Sequence, residues 1–297
     1  MSKGSRGVSK VLLFFVLTTM FILPTQVFAT QYANVVVVAK TGGDFTDPVA
    51  AVGSIGNASA TNPYLIKIMP GIYDISSTSL WMKPYVDIEG SGQDTTTIVE
   101  NGGILGAPNA EIRSLTIKGT NAGVMWARSN MSNVKIDVNS TNGTAYGMEA
   151  VGATIKLSNV EILANGVSSA YGINMTTDPD TYVGSNVELN NVKVTASVST
   201  LYLEPAGIYV QDDCILTMNN SSVIVNAPTN QGIGVKNAGY AEISNSAIKA
   251  NKVISNISSL AKMYINNTKL DGSSISTIGV LKCYNDFDKN YAAYLCQ

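Results

Sequence analysis

The segment Leu157-Ser158-Asn159-Val160-Glu161-Ile162 decides the fold, because its pattern recurs along most of the chain. The recurring phrase is an apolar residue, two small polar residues ending in Asn, two variable residues and another apolar residue. Its copies begin at Met131, Leu157, Leu189, Met218, Ile243 and Ile265, with a degenerate first copy at Ile112. The Asn positions lie 22 to 32 residues apart. Such a period is typical of solenoid proteins.

A second phrase keeps step with the first and consists of Gly, an apolar residue, a variable residue and another apolar residue. Its copies begin at Gly123, Gly147, Gly172, Gly207 and Gly232. Both phrases have the alternation of short strands, and no amphipathic helix fits between them. The sequence therefore predicts an all-β, single-stranded right-handed parallel β-helix over residues 30–297, because parallel crossovers are right-handed.

Stacked coils would place the repeated Asn residues one above another. An Asn side chain both donates and accepts hydrogen bonds, so this column predicts an asparagine ladder. The apolar residues of the phrase are expected to face the interior, with the Asn side chains at the adjacent inward turn. Leu157, Leu189 and Ile243 are predicted in the core, and Asn159, Asn191 and Asn245 in the ladder.

Both ends of a β-helix need covers, because open coils expose strand edges and core. Asp47-Pro48 predicts the start of a short helix that caps the N-terminal end, with Val49, Val52 and Ile55 on its inner face. At the other end, Cys283 and Cys296 are expected to form a disulfide that closes a C-terminal cap. Cys214 is expected to be a free, buried thiol.

The N-terminus has the pattern of an export signal. Lys3, Arg6 and Lys10 precede an uncharged apolar run over residues 11–23, and Ala29 ends a small-x-small cleavage pattern. Residues 1–29 are therefore predicted to be a signal peptide. The protein is expected to be secreted, of bacterial origin, and without a membrane contact after cleavage.

Composition narrows the classes of function. The chain has a formal net charge of −2 and only 13% charged residues, so no basic surface for nucleic acid is expected. It contains no histidine, which removes the commonest general base and metal ligand. No cofactor is expected.

Aligning the Gly phrases predicts which loop residues lie together. One column holds Arg128, Gly152, Thr177, Asp212 and Asn237, and the next holds Ser129, Ala153, Asp178, Asp213 and Ala238. Asp178 and Asp213 are then expected on adjacent coils, with Asp180 and Asp212 beside them. Solvated loop acids are the preferred interpretation. The alternatives are a Ca²⁺ site at Asp178 and Asp213, or a carboxylate pair for glycoside hydrolysis.

The same alignment predicts an outward column of Met125, Glu149, Asn174, Tyr209 and Gly234. Tyr209 beside Asn174 would form a surface on which a sugar ring could stack, and plain packing is the alternative. A further outward column is predicted to alternate in charge, and it contains Lys135, Glu161 and Lys193.

The front of the chain resembles the pectinesterase family. The matching motifs are Val35-Val-Val-Val-Ala-Lys-Thr-Gly-Gly-Asp-Phe45, Ile66-Lys-Ile-Met-Pro-Gly-Ile-Tyr73 and Val86-Asp-Ile-Glu-Gly-Ser-Gly92, followed by Thr97-Ile98. The resemblance implies the entry of a pectin-lyase-like β-helix and a polysaccharide-related setting. That family's catalytic landmarks are a Gln-Asp turn, an Asp-Phe-Ile-Phe-Gly strand and a Gly-Arg-Pro-Trp turn. None occurs in a matching context here.

The sequence thus favours a secreted, non-catalytic β-helix that binds extracellular glycan or a surface protein. A divergent carbohydrate-active enzyme is the first alternative, and a fibre or spike component is the second.

Overall fold

A computed structural model describes residues 32, 34–200, 204–228, 231–290 and 292–293. Over these residues the chain forms a helix, α1 (Pro48–Ser54), and short strands. The strands are, in chain order, β1 (Asn34–Val38), β2 (Tyr64–Ile68), β3 (Gly71–Asp74), β4 (Val86–Glu89), β5 (Thr96–Glu100), β6 (Ile104–Leu105), β7 (Glu111–Gly119), β8 (Ala122–Ala127), β9 (Asn130–Asn139), β10 (Thr144–Val151), β11 (Thr154–Ser158), β12 (Glu161–Gly166), β13 (Ser169–Thr176), β14 (Asn186–Asn190), β15 (Lys193–Val198), β16 (Ala206–Val210), β17 (Ile215–Asn219), β18 (Ser222–Asn226), β19 (Ile233–Asn237), β20 (Tyr240–Ser244), β21 (Ala247–Lys249), β22 (Lys252–Asn256), β23 (Lys262–Asn266), β24 (Lys269–Asp271), β25 (Ser274–Thr277) and β26 (Val280–Tyr284).

The strands stack in parallel into a right-handed β-helix, as predicted. An eight-stranded sheet runs through β6, β8, β10, β13, β16, β19, β22 and β25. The remaining strands form one 18-stranded sheet that covers two sides of the helix, because β7 and β9 each turn a corner and pair in both columns. Leu157, Leu189 and Ile243 are at most 2% exposed, so the predicted core positions are confirmed.

The asparagine ladder exists, but the prediction that its side chains point inward is wrong. Asn191 donates to Asn159 at 2.6 Å, and Asn159 donates to Asn133 at 3.3 Å. Asn245 accepts from Asn267 at 2.7 Å but donates to Asn219, the residue before the corner Asn of its neighbouring coil, at 3.0 Å, and these side chains are exposed. The reason is local: the corner Asn residues have positive φ, near 50°, which turns the side chain outward and the next residue inward. Asn tolerates this left-handed conformation better than most residues.

The inward residue after each corner forms a second, buried ladder in the later coils. The amide of Val192 donates to Ser221 Oγ at 3.0 Å, and the Ser221 amide donates to Ser246 Oγ at 3.1 Å. The Ser246 amide then donates to Thr268 Oγ1 at 3.4 Å, and the Thr268 amide to Asp286 Oδ1 at 2.8 Å. These bonds satisfy corner amides that the sheet hydrogen bonds leave free.

The repeated glycines bring the eight-stranded sheet close to the opposite wall. A Cβ at Gly172 would lie 2.1 Å from Val194 Cγ1, and the other glycines of the column meet equivalent aliphatic side chains. The predicted register is wrong in two coils. In the earlier one, Ala127 and not Trp126 lies opposite Ala150. In the later one, Gly234 and not Gly232 follows Gly207 in the column, because the backbone of Gly234 approaches that of Gly207. The outward position opposite Tyr209 therefore belongs to Lys236, and Asn237 pairs with Val210 instead of lying near Asp212.

The N-terminal cap matches its prediction. The Asp47 side chain accepts a hydrogen bond from the Val49 amide at 2.9 Å, and α1 buries Val52 and Ile55. At the other end, Phe287 bridges to β24 and closes the last described coil. Cys214 is free and buried, as expected.

Several predictions fall outside the described residues. Cys296 is one of them, so the Cys283–Cys296 disulfide remains a prediction. The signal peptide over residues 1–29 lies there too. Among the described residues, none belongs to a helix long and apolar enough to cross a membrane.

Candidate functional site

The outer surface of the eight-stranded sheet, continued at Trp81, carries one aromatic side chain in five of six successive coils; the coil of β6, with Leu105 at this position, has none. We call this surface the aromatic face, and its members are Trp81, Trp126, Tyr146, Tyr171 and Tyr209. Sequence analysis identified only Tyr209. The missed signal is that a Tyr directly precedes the repeat Gly in two coils, at Tyr146-Gly147 and Tyr171-Gly172.

Three tyrosines form a continuous stack along the helix axis. The ring centroids of Tyr146 and Tyr171 are 5.4 Å apart with an interplanar angle of 14°, and those of Tyr171 and Tyr209 are 6.4 Å apart at 28°. Ala206 occupies the strand position opposite Tyr171, so Tyr209 stacks diagonally from the neighbouring position. The stack presents partly exposed ring surface over three coils.

Polar side chains flank the tyrosine stack. Asn174 Nδ2 donates to Glu149 Oε1 at 3.3 Å, and Gln211 Nε2 donates to Asn174 Oδ1 at 3.5 Å. Burial raises the pKa of Glu149, and the Asn174 bond partly opposes that rise. The predicted neighbourhood of Tyr209 and Asn174 is confirmed, since the two residues pair across β13 and β16.

Both tryptophans of the chain line one apolar cleft at the front of this face. The cleft has a volume of about 390 Å³ and is also lined by Leu105, Pro108 and Arg128. Trp81 is 65% exposed and Trp126 is 41% exposed. Large exposed aromatic side chains that converge on one cleft are typical of a binding surface.

Trp126 is displayed by an irregularity in its strand. The pairing of β8 with β10 shifts between Val124 and Ala127, so Trp126 occurs as an extra residue. Its φ is 48°, an unfavourable conformation for a large side chain. Such strain is concentrated at functional sites in folded proteins.

Arg128 and Asp178 form an ion pair beside the Trp cleft. Asp178 is only 5% exposed, and its Oδ1 accepts from the amides of Asp180 at 2.9 Å and Thr181 at 3.0 Å. The Thr181 amide, followed by the Asp180 amide, lowers the pKa of Asp178, and Arg128 acts in the same direction. Asp178 therefore organises a loop and neutralises an arginine.

The four predicted acids do not converge. Within the described part of the chain, no group of three or more His, Cys, Asp or Glu side chains is placed to hold a metal ion. Asp178 is buried against Arg128, whereas Asp180, Asp212 and Asp213 are exposed. Asp178 turns toward Arg128, two coils away, and the other three acids are exposed, as the preferred interpretation of solvated loop acids expects.

The predicted charged column on another side is confirmed. Glu161 pairs with Lys193 at 2.8 Å and with Lys135 at 3.6 Å. All three side chains are partly or largely exposed, so this column contributes little to stability.

Comparison with solved structures identifies the fold. The chain is similar to the pectin methylesterase PemA from Erwinia chrysanthemi, with 14% identity, a TM-score of 0.50 and coverage of 90% of this chain and 92% of that chain. It is also similar to a pectin methylesterase in complex with a hexasaccharide, with 13% identity, a TM-score of 0.50 and the same coverage. Pectate lyase Pel9A matches with 13% identity and a TM-score of 0.50, over 89% of this chain and 82% of that chain.

No protein-family model and no curated protein sequence matches the chain. The similarity to these solved structures shows that the chain has the right-handed parallel β-helix fold of pectin methylesterases and pectate lyases.

Proposed function

We propose that this protein is an extracellular, non-catalytic β-helix that binds polysaccharide along its aromatic face. The observation that carries the proposal is the presence of an aromatic ring in five of six successive coils. Adjacent coils are about 4.8 Å apart, so the face extends over roughly 24 Å. That length suits a chain of several sugar rings better than a single small molecule.

The chemistry of the face suits carbohydrate. Sugar rings have apolar C–H surfaces that pack on aromatic rings, and their hydroxyl groups need nearby donors and acceptors. Glu149 and Gln211 provide an acceptor and a donor beside the tyrosines, and the buried Asn174 bonds to both of them. Their mutual hydrogen bonds also hold them in place before a ligand arrives, which reduces the entropy lost on binding.

Two observations support the absence of catalysis. Glycoside hydrolysis uses a pair of carboxyl groups on either side of the scissile bond. Glu149 is a carboxyl group with a raised pKa, but Asp178 is buried and paired with Arg128, where it could not reach a substrate. The chain also has no histidine and lacks the catalytic motifs of the pectinesterases that its front resembles.

The signal-like sequence of residues 1–29 supports the extracellular setting. The class of ligand is supported by a structure with the same fold, a pectin methylesterase in complex with a hexasaccharide. The proposal transfers the class of ligand, polysaccharide, and not the reaction.

A glycan array with the purified protein tests the proposal. Tyr171→Ala, which removes the middle ring of the stack, should weaken binding to the best polysaccharide about tenfold, since a good aromatic contact contributes about 1–1.5 kcal/mol. Tyr264→Ala is the matched control, because the ring of Tyr264 contacts that of Tyr240, tilted by 44° with centroids 5.8 Å apart, on a different side of the helix. Equal losses in both variants, or no binding to any polysaccharide, would refute the proposal. Release of methanol or of reducing ends from a bound polysaccharide would refute the non-catalytic part.

A further inference from the structure

The aromatic face is acidic around the tyrosines. Residues 144–151, 169–185 and 204–213 form the three tyrosine-bearing coils on this side, and they contain no lysine or arginine. The acidic residues in these segments are Glu149, Asp178, Asp180, Glu204, Asp212 and Asp213. Asp178 and Glu204 are ion-paired, which leaves Glu149, Asp180, Asp212 and Asp213 as the acidic groups near a ligand on the tyrosine stack.

The basic residues that border these coils are already paired. Arg128, in the preceding coil, forms an ion pair with the buried carboxylate of Asp178. Lys236, in the following coil, lies 3.2 Å from Glu204 Oε2, and its ammonium group is 5.2 Å from the ring centroid of Tyr209. Both cations are therefore partly neutralised by carboxylates of this chain.

We infer that the ligand of the aromatic face is an uncharged polysaccharide and that uronate polymers are excluded. This inference rests on the proposed function and specifies its ligand class. The inferred ligand class differs from the pectin that appears in the names of proteins with the same fold, because the tyrosine-bearing coils of this chain carry acidic side chains.

A polyanionic ligand is excluded because its carboxylates would lie close to carboxylates of the protein and would lose water on binding. Charges within a Debye length, about 8 Å at physiological ionic strength, interact without full screening. The exposed carboxylates of Asp212 and Asp213 border the tyrosine-bearing coils, and Glu149 lies within the face itself. A ligand carboxylate beside Glu149 would create a like-charge pair that requires a proton, whereas a hydroxyl group can donate to Glu149 directly.

Calorimetry with ligand pairs that differ only in charge tests the inference. Soluble β-glucan and β-mannan would each be compared with the same polymer oxidised at its primary hydroxyl groups, and polygalacturonate with its methyl ester. The neutral member of any pair that binds should bind at least about tenfold more tightly at low salt, and the difference should shrink at high salt as screening increases. An acidic member that binds as tightly as its neutral counterpart would overturn the inference while leaving polysaccharide binding intact. Failure of all pairs to bind would overturn both proposals.

A single charge removal gives a second test. Asp213→Asn should raise affinity for an acidic polymer about two- to threefold and leave affinity for its neutral counterpart unchanged. The substitution suits the backbone, because φ at Asp213 is 61° and Asn adopts this conformation well. Asp94→Asn is the control, since Asp94 is exposed on an early turn away from the face. Equal responses of Asp213→Asn and Asp94→Asn would contradict an electrostatic origin of the selectivity.

Discussion

Arg128 and Asp178 form an ion pair across an intervening coil, and the position between them is Gly152. A Cβ on Gly152 would lie 2.4 Å from the Cβ of Asp178. Because Gly152 has no side chain, there is space for Asp178 to contact Arg128. This pair fixes the loop over residues 178–182 and keeps the arginine beside the Trp cleft neutralised.

Replacing Gly152 should break this arrangement. Gly152→Ala places a methyl group against Asp178 at a residue with φ of 57°, and we expect a loss of about 2–3 kcal/mol in the free energy of unfolding. Chemical denaturation measures the loss. Gly56→Ala is the matched control, because a Cβ there meets no neighbouring atom and φ is ordinary. A loss no larger than that of the control would show that Gly152 does not create the space for Asp178.

The core prediction follows from burial alone. Leu189 is 2% exposed inside the helix, so Leu189→Ala should reduce the free energy of unfolding by about 2–5 kcal/mol. Asn190→Ala, at the adjacent outward position, should change it by less than about 0.5 kcal/mol. Denaturation curves of the two variants make the comparison. Similar losses would mean that the strand alternates in the opposite sense.

Two substitutions in the exposed ladder separate the effect of the amide hydrogen bond from the effect of the backbone conformation. Asn191→Ala removes an amide hydrogen bond and places Ala at φ of 55°, so a loss of about 1–2 kcal/mol is expected. Asn191→Gly removes the same hydrogen bond but relieves the backbone strain, and should therefore lose less. If the Gly variant is the less stable of the two, backbone conformation is not the reason for Asn at the corner.

These residues also show how far the sequence could predict the fold. The Asn and Gly phrases were sufficient for the β-helix, its core and its caps, because they recur at the period of one coil. They did not predict the outward direction of Asn191, since positive φ at a corner interrupts the alternation on which side-chain direction was based. The register slip at Gly232 arose because Gly234 lies two residues away and satisfies the same phrase.

The site was less predictable for physical reasons. Tyr209 and Asn174 were found because they share a strand position, but Tyr171 stacks with Tyr209 diagonally. Trp126 reaches the surface through an extra residue in its strand, which no repeat pattern indicates. The partner of Asp178 is 50 residues away and two coils distant, so alignment of adjacent coils placed Asp178 with the wrong neighbours.

Glu100 predicts how stability depends on pH. Its side chain is 2% exposed, one carboxylate oxygen has no partner, and burial raises its pKa to about 7. The folded state then holds a proton that the unfolded state releases near pH 4.5, so stability falls as pH rises from about 4.5 to about 7. At about 1.4 kcal/mol per pH unit, the total loss is about 3 kcal/mol.

Glu100→Gln should abolish this part of the pH dependence and make the protein more stable than the wild type at pH 8. Burial also raises the pKa values of Glu149 and Asp286, and both residues remain in the variant. The difference between the wild-type and variant curves of unfolding free energy against pH therefore isolates Glu100. Parallel curves from pH 4 to pH 8 would show that Glu100 is charged in the folded protein.

Tryptophan fluorescence gives the most direct test of the aromatic face, because the only two tryptophans of the chain, Trp81 and Trp126, lie on it and are exposed. Saturation with the polysaccharide that binds best should shift the emission to shorter wavelength and reduce quenching by acrylamide. Both changes should follow the binding curve measured by calorimetry. Calorimetric binding with unchanged emission and unchanged quenching would place the ligand elsewhere and contradict polysaccharide binding along the aromatic face.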